Sequence, residues 1–132
     1  MSLPQLDALI TQLRGLESFE EEVARVAAPK VLEAVKARAA QGIDPDGKPW
    51  APTKDGAKAL PNVAERLSVK TIGNIIQVSL EGGAVWHNNA KDTKTMPRRR
   101  VLPDTGAGIP DWLAIIINQT AQQVWARHMG GL

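Results

Sequence analysis

The residues best suited to chemistry crowd one short stretch. Asp44-Pro45-Asp46-Gly47-Lys48 sets two carboxylates beside a glycine, the opening of a calcium loop, and Asp55 stands at its twelfth position. Lys48 and Pro49 then occupy the fifth and sixth positions, where a ligand and a glycine belong, and the match fails. The two histidines, His87 and His128, are far apart and no His-Glu-x-x-His pair exists, so no catalytic metal is expected. Gly106-x-Gly108 lacks the third glycine of a dinucleotide loop, and neither a phosphate loop nor a Gly-x-Ser-x-Gly elbow is present. Asp104 and Asp111 are close enough in sequence to imagine as a pair, but solvated acids at a helix start are the commoner arrangement. No residue is assigned a catalytic, cofactor-binding or metal-binding role, and the chain is not expected to be an enzyme. The remaining chemistry is ionic. Within residues 91–100, Lys91, Lys94, Arg98, Arg99 and Arg100 face Asp92 alone. Adjacent arginines between Pro97 and Pro103 make a stiff presentation of charge suited to carboxylates or phosphates, although a solvated loop is the plainer reading.

Composition limits what such a cluster can do. A formal net charge of +2 is too small for general polyanion affinity, so a basic loop in a nearly neutral chain points to a local contact. Residues 1–41 hold six acids and five bases, residues 42–132 eight and eleven, which puts the surplus with the loop. With no cysteine, disulfides and thiolate chemistry are excluded. The longest apolar runs, such as Leu113 to Ile117, are too short to span a bilayer. The N-terminus lacks the basic start and apolar stretch of a signal peptide, and the expected compartment is the cytoplasm where the chain is made.

The elements that position these residues follow from periodicity. One hundred and thirty-two residues suit a single domain, 1–132. It divides into a helical part (3–41), a turn and loop (42–66), a β-rich part (67–103) and a C-terminal helix (110–129). Ser2 and Gln5 form a capping-box pattern ahead of Leu6, Leu9, Ile10 and Leu13 at helical spacing, and Gly15 stops that helix. Ser18 and Glu21 suggest a second capping box, followed by the stripe Phe19, Val23, Ala27, Val31, Val35. Pro29 either kinks one helix or starts another; one kinked helix over 18–41 is the favoured reading. Gly42 to Trp50, with two glycines and two prolines, ends helical structure, and Pro45-Asp46-Gly47 is turn chemistry, with Asp46 expected to bond its own main chain. Leu67–Thr71 and Asn74–Leu80 alternate as strands around Gly73-Asn74, with Ile76, Val78 and Leu80 on one face. Ala84 to His87 is expected as a third strand and Val101-Leu102 as an edge strand before Pro103. Pro110 in a first turn opens the last helix, carrying Trp112, Leu113, Ile116, Ile117, Thr120 and Val124 on its apolar face. The expected fold class is α+β: N-terminal helices and a C-terminal helix packed on a small, mostly antiparallel β-sheet. Of Trp50, Trp86, Trp112 and Trp125, two are expected to anchor the core, while Trp50 or Trp125 suits a subunit contact. His87 is expected as a strand-end histidine satisfied by a neighbour.

The order of these pieces resembles the phage virion morphogenesis and tail-completion family. Asp46, Gly47, Lys48 and Trp50 match its Pro-Asp-Gly-Lys-x-Trp segment, and Ala84-Val85-Trp86-His87-Asn88 is similar to its histidine-bearing strand. Met96-Pro97-Arg98-Arg99-Arg100-Val101-Leu102 is similar to its Ile-Pro-Ala-Arg-Pro-Phe-Leu-Gly piece, with Pro97 and Arg99 aligned. The departures are the missing tyrosine of the second piece, the missing glycine after its histidine, and Pro103 for the last glycine. The resemblance spans roughly residues 20 to 128 and implies a structural minor tail or neck protein of a tailed phage or prophage. That role is head–tail joining or tail completion as a homo-oligomeric ring, six subunits being one candidate count. The implied partners are further copies of the chain and other neck, connector or tail-tube proteins, met in the bacterial host cytoplasm during assembly and retained in the virion; no membrane is implied. Asp46, Gly47, Lys48, Trp50, His87, Lys91, Lys94, Pro97, Arg98, Arg99 and Arg100 are the expected interaction residues, with the basic loop pairing to acids such as Glu20, Glu21 and Glu22 of a neighbour or to an acidic connector. The alternative is a small nucleic-acid-binding module using the same arginines, with Trp86 as a stacking surface; nucleic acid is not expected as the main partner.

Overall fold

The structure is a computed structural model describing residues 2–57, 59–89, 97–104 and 108–130. Its first helix, α1 (Leu3–Gly15), begins with the expected capping box: Ser2 Oγ accepts from the Gln5 amide at 3.3 Å and Gln5 Oε1 from the Ser2 amide at 2.9 Å. A 3₁₀ turn, Leu16–Ser18, leads into α2 (Phe19–Gln41). The second capping box does not form. The 3₁₀ turn holds Ser18 at φ −105°, ψ 17°, not in the extended backbone that aims a hydroxyl at the helix amides, and its side chain makes no cap bond.

Helix α2 runs unbroken through Pro29. Pro29 and Arg25 both lie on the exposed side, so the Arg25 carbonyl that loses its amide partner is turned to solvent. Val23, Ala24, Ala27, Ala28, Val31, Val35 and Ala39 are buried, and their smallness lets other elements approach the helix closely. Gly42, at φ 73°, supplies the left-handed residue that ends it.

A 3₁₀ turn over Val63–Arg66 precedes an antiparallel hairpin of β1 (Leu67–Ile72) and β2 (Ile75–Leu80), joined by Gly73-Asn74 with Gly73 at φ 57°. Leu67 faces Leu80, Val69 faces Val78 and Thr71 faces Ile76, so the expected face is the one laid on α2. The expected third strand is instead a short helix, α3 (Ala84–Asn89). Gly82, at φ 81°, reverses the chain, and the Val85 and Trp86 amides bond back to Gly82 and Gly83. Neighbours on a strand point to opposite sides, whereas on a helix His87 and Asn88 both reach the same adjoining segment. Val101 and Leu102 form no strand; their amides are taken by the Asn88 side chain. The β-rich region expected over 67–103 therefore holds strands only in 67–80 among the described residues.

Helix α4 (Asp111–Met129) packs along α2, with Thr120 and Val124 fully enclosed. Pro110 is its N-cap and not its first helical residue. Glu22 of α2 accepts from His128 Nε2 at 2.6 Å and lies 3.5 Å from Arg127, fastening the start of α2 to the end of α4. The hydrogen bond to His128 is the main reason the Glu22 carboxyl sits below its ordinary range. Helices on one small antiparallel sheet make the fold α+β. No helix among the described residues is long and apolar enough to cross a membrane.

The core is built of small side chains, while many large apolar ones remain outside it. Leu3, Leu6, Ile10, Leu13, Ile72, Ile75, Trp86, Ile109, Ile115 and Trp125 are all exposed. Val124 should therefore carry more stability per atom than these larger residues. Val124→Ala is expected to cost about 2 kcal/mol in urea unfolding, whereas Leu3→Ser changes stability by no more than about 0.5 kcal/mol.

Candidate functional site

The stretch after α2 folds into a small ribbon. Ile43 bridges Pro49, the Asp44 amide bonds Lys48 O at 2.8 Å, and the Trp50 amide bonds Gly42 O at 2.8 Å. Its tip is held by Asp44, whose Oδ1 accepts from the amides of Asp46 and Lys48, both at 2.9 Å. Asp44 thus does the work expected of Asp46, because an aspartate at the first turn position reaches the amides that follow it. Gly47, at φ 86°, takes the left-handed position that other residues rarely adopt. The Lys48 side chain is exposed.

Two indole N–H groups fasten this ribbon to the rest of the molecule. Trp50 Nε1 donates to Arg100 O at 2.8 Å, and Trp112 Nε1 of α4 donates to Pro45 O at 2.9 Å. Arg38 lies over the Trp112 ring at 4.2 Å, so α2, α4 and the ribbon meet there. Trp50 and Trp112 are half-buried anchors, whereas Trp86 is 74% and Trp125 48% exposed, Trp125 standing edge-on to Phe19.

The three arginines close the cluster. Arg99 is 6% exposed. Its Nε donates to Ala51 O at 2.8 Å, one terminal nitrogen donates to Pro52 O at 3.1 Å, and the other meets His87 Nδ1 at 3.0 Å. A guanidinium only donates, so His87 Nδ1 accepts and the imidazole is neutral with its proton on Nε2. Desolvation, and then the Arg99 charge, hold the His87 pKa below its ordinary value. The main chain supports the same register: the Arg99 amide donates to His87 O at 3.0 Å, and Asn88 Oδ1 accepts from Val101 and Leu102 at 2.8 and 3.0 Å.

Arg98 and Arg100 flank Arg99 and are also engaged within the chain. Arg98 pairs with Asp104 and donates from Nε to Asn88 O at 2.8 Å. Arg100 pairs with Asp46, with Asp104 at 2.8 Å, and stands 3.9 Å from Asp44. Burial disfavours the Arg100 charge, but its bonds to Asp104 and Asp46 outweigh this and raise its pKa. Those to Arg98 and then Arg100 hold Asp104 below the usual carboxylate range.

The fold thus brings together Asp46, Gly47, Trp50, His87, Arg98, Arg99 and Arg100, with Pro97 leading the arginines in. Lys91 and Lys94 lie outside the described residues. Arg98 to Arg100 do not form the free basic patch that the charge run suggests. Of the acids expected to receive them on a neighbour, Glu22 is bound to α4 and Glu20 accepts from Asn74 Nδ2 at 2.7 Å. Asp104, expected as a solvated helix-start acid, is a principal partner of Arg98 and Arg100, while Asp44 stands at the edge of the Arg100 contact. The turn chemistry around Asp44 is a usable signal, and the helical stripe marks Trp112 as a core anchor; nothing local marks Asp104 or Asn88. Among the described residues no three His, Cys, Asp or Glu side chains are grouped to hold a metal ion. Comparison with known protein families, curated proteins and solved structures finds no match to this chain.

Arg99→Met should cost about 3 kcal/mol in urea unfolding, because two carbonyls and an imidazole lose a buried cationic donor. Arg99→Lys should recover less than half of that, since an ammonium cannot span the fork. His87 gives a pH signature of known sign. Its folded pKa is depressed, so stability is full above about pH 6.5 and declines as pH falls from there toward the folded value. His87→Asn, which keeps an acceptor near the Nδ1 position and does not titrate, should flatten that part of a stability–pH profile.

Proposed function

We propose that this chain is a structural virion-assembly protein of a tailed phage or prophage. In this reading it completes the tail or joins it to the head connector as an oligomeric ring, is made in the host cytoplasm, and stays in the virion. The observation that carries the reading is convergence. The three pieces behind the family resemblance, at 46–50, 84–88 and 97–102, lie far apart in sequence and meet in one cluster. There Arg99 touches His87 and the residue after Trp50, while Trp50 touches Arg100. Motifs whose side chains bond one another serve the shape of a subunit, and a subunit of small core and large exposed apolar residues suits assembly.

The engagement of the arginines lowers the weight of the nucleic-acid reading, because guanidinium groups satisfied by internal carboxylates and carbonyls are poorly placed to neutralise phosphates. It also changes the decisive variant. Reversing charge at Arg98 to Arg100 breaks the ribbon as well as any interface, so loss of assembly in that variant would not isolate a contact.

Light scattering after size exclusion, followed by negative-stain microscopy, tests the reading on the intact chain. The expected result is a defined oligomer or ring that grows in with concentration. A strict monomer that binds DNA with a steep salt dependence would overturn it in favour of the nucleic-acid module.

A further inference from the structure

Helix α1 leaves an apolar seam uncovered. Leu3 (78% exposed), Leu6 (42%), Ile10 (37%) and Leu13 (50%) recur at spacings of three, four and three, the pattern of a helix edge that packs against another surface. Leu9, off that seam, is the half-buried leucine of α1. The seam is therefore the more exposed edge of α1, open at Leu3 and Leu13 and part covered at Leu6 and Ile10.

A matching surface lies elsewhere on the same chain. Phe19, Val23 and Ala24 of α2, Ile76 of β2, Ile109 and Ile117 line an open cavity of about 370 Å³. The exposed Ile72 and Ile75 at the hairpin tip extend the apolar neighbourhood beyond Asn74. Its rim is acidic, with Glu20 on the cavity and Glu17 and Glu21 on the adjoining one. Toward that rim helix α1 offers the positive end of its dipole, with no acid in its first turn, and Arg14 one turn beyond Ile10. Asp7, one turn before Ile10, is its single acid and balances that charge, so the match is chiefly apolar.

We propose that α1 of one copy docks its Leu3–Leu6–Ile10–Leu13 seam into the Phe19–Ile76–Ile109–Ile117 groove of the next copy. The two surfaces are different and belong to the same chain, so the contact is heterologous and each subunit gives one helix and accepts another. A helix of 13 residues is about 20 Å long, which makes a single contact small by the standard of stable interfaces. Closure is what makes it hold, because the last contact of a ring is intramolecular. The inference deepens the ring reading by naming its subunit contact, but the contact can be sought without assuming closure or a phage role.

The chain has no cysteine, so single thiols can be placed cleanly. Leu6→Cys marks the helix and Ile109→Cys marks the groove, both at exposed positions that leave the core intact. Each is treated with a short bismaleimide, alone, mixed one to one, and combined in a double variant, with circular dichroism to verify folding. The mixture should give a dimer of twice the 14.2 kDa chain mass, enriched about tenfold over either single variant. The double variant should give a ladder of higher multimers. Leu6→Cys cross-linking to itself as well as to Ile109→Cys would overturn the proposal in favour of a symmetric helix pair. A double variant cross-linked only within one chain would show that α1 closes on its own groove, and no cross-link in folded protein would also overturn it. If light scattering shows an oligomer while the mixture fails to cross-link, this contact is wrong and the ring reading stands.

Discussion

Everything around the ribbon depends on the burial of one guanidinium. Arg99 is withdrawn from water among neutral acceptors, Ala51 O, Pro52 O and His87 Nδ1, contributed by two segments remote from it in sequence. A buried cation is tolerated only when its donors are met, so the ribbon, α3 and the 97–104 segment must reach their places together. This makes the cluster a device for fixing shape more than a source of net stability, since buried polar groups cost nearly as much to desolvate as their bonds return. The carboxylates of Asp44, Asp46 and Asp104 add the opposite charge through Arg98 and Arg100, so the basic run is largely answered from within.

That constraint bears on function by changing what the surface offers. With the arginines committed, the outward-facing features that stand out among the described residues include several large apolar ones: the α1 seam, the hairpin tip, Trp86, Ile109, Ile115 and Trp125. A buried set of mostly valine and alanine, with larger side chains at the edge of the core or outside it, is the feature on which the proposed assembly rests. The polar cluster ties the ribbon to α4 and the 97–104 segment, and the exposed apolar residues lie outside it. Both features are what the proposed assembly would draw on.

Much of this architecture is legible in the order of residues. The helices announce themselves through the Ser2/Gln5 capping box, the α2 stripe at every fourth residue and the apolar face of α4. The hairpin does so through alternation around Gly73-Asn74. The two places where local pattern suggests a strand that does not form share one cause. Ala84 to His87 has strand-like residues and Val101-Leu102 an apolar pair, yet neither forms a strand. Both are governed by Asn88 and His87 bonding to the chain at 98–102, ten to fourteen residues away and beyond the reach of local pattern.

Periodicity, capping and backbone freedom act within a few residues. They are enough to determine the class of fold, the ends of the long helices and the turn at 42–50, and they single out the arginines, His87 and Trp50 but not their partners Asp104 and Asn88. What those residues do is decided in three dimensions. Whether an arginine triplet is a free patch or an internal clasp depends on which acids and carbonyls the fold places beside it, here Asp104 and Asp46 for the outer pair and Ala51, Pro52 and His87 for Arg99. Charge is written in the sequence; its neutralisation depends on distance in space, which the order of residues does not contain.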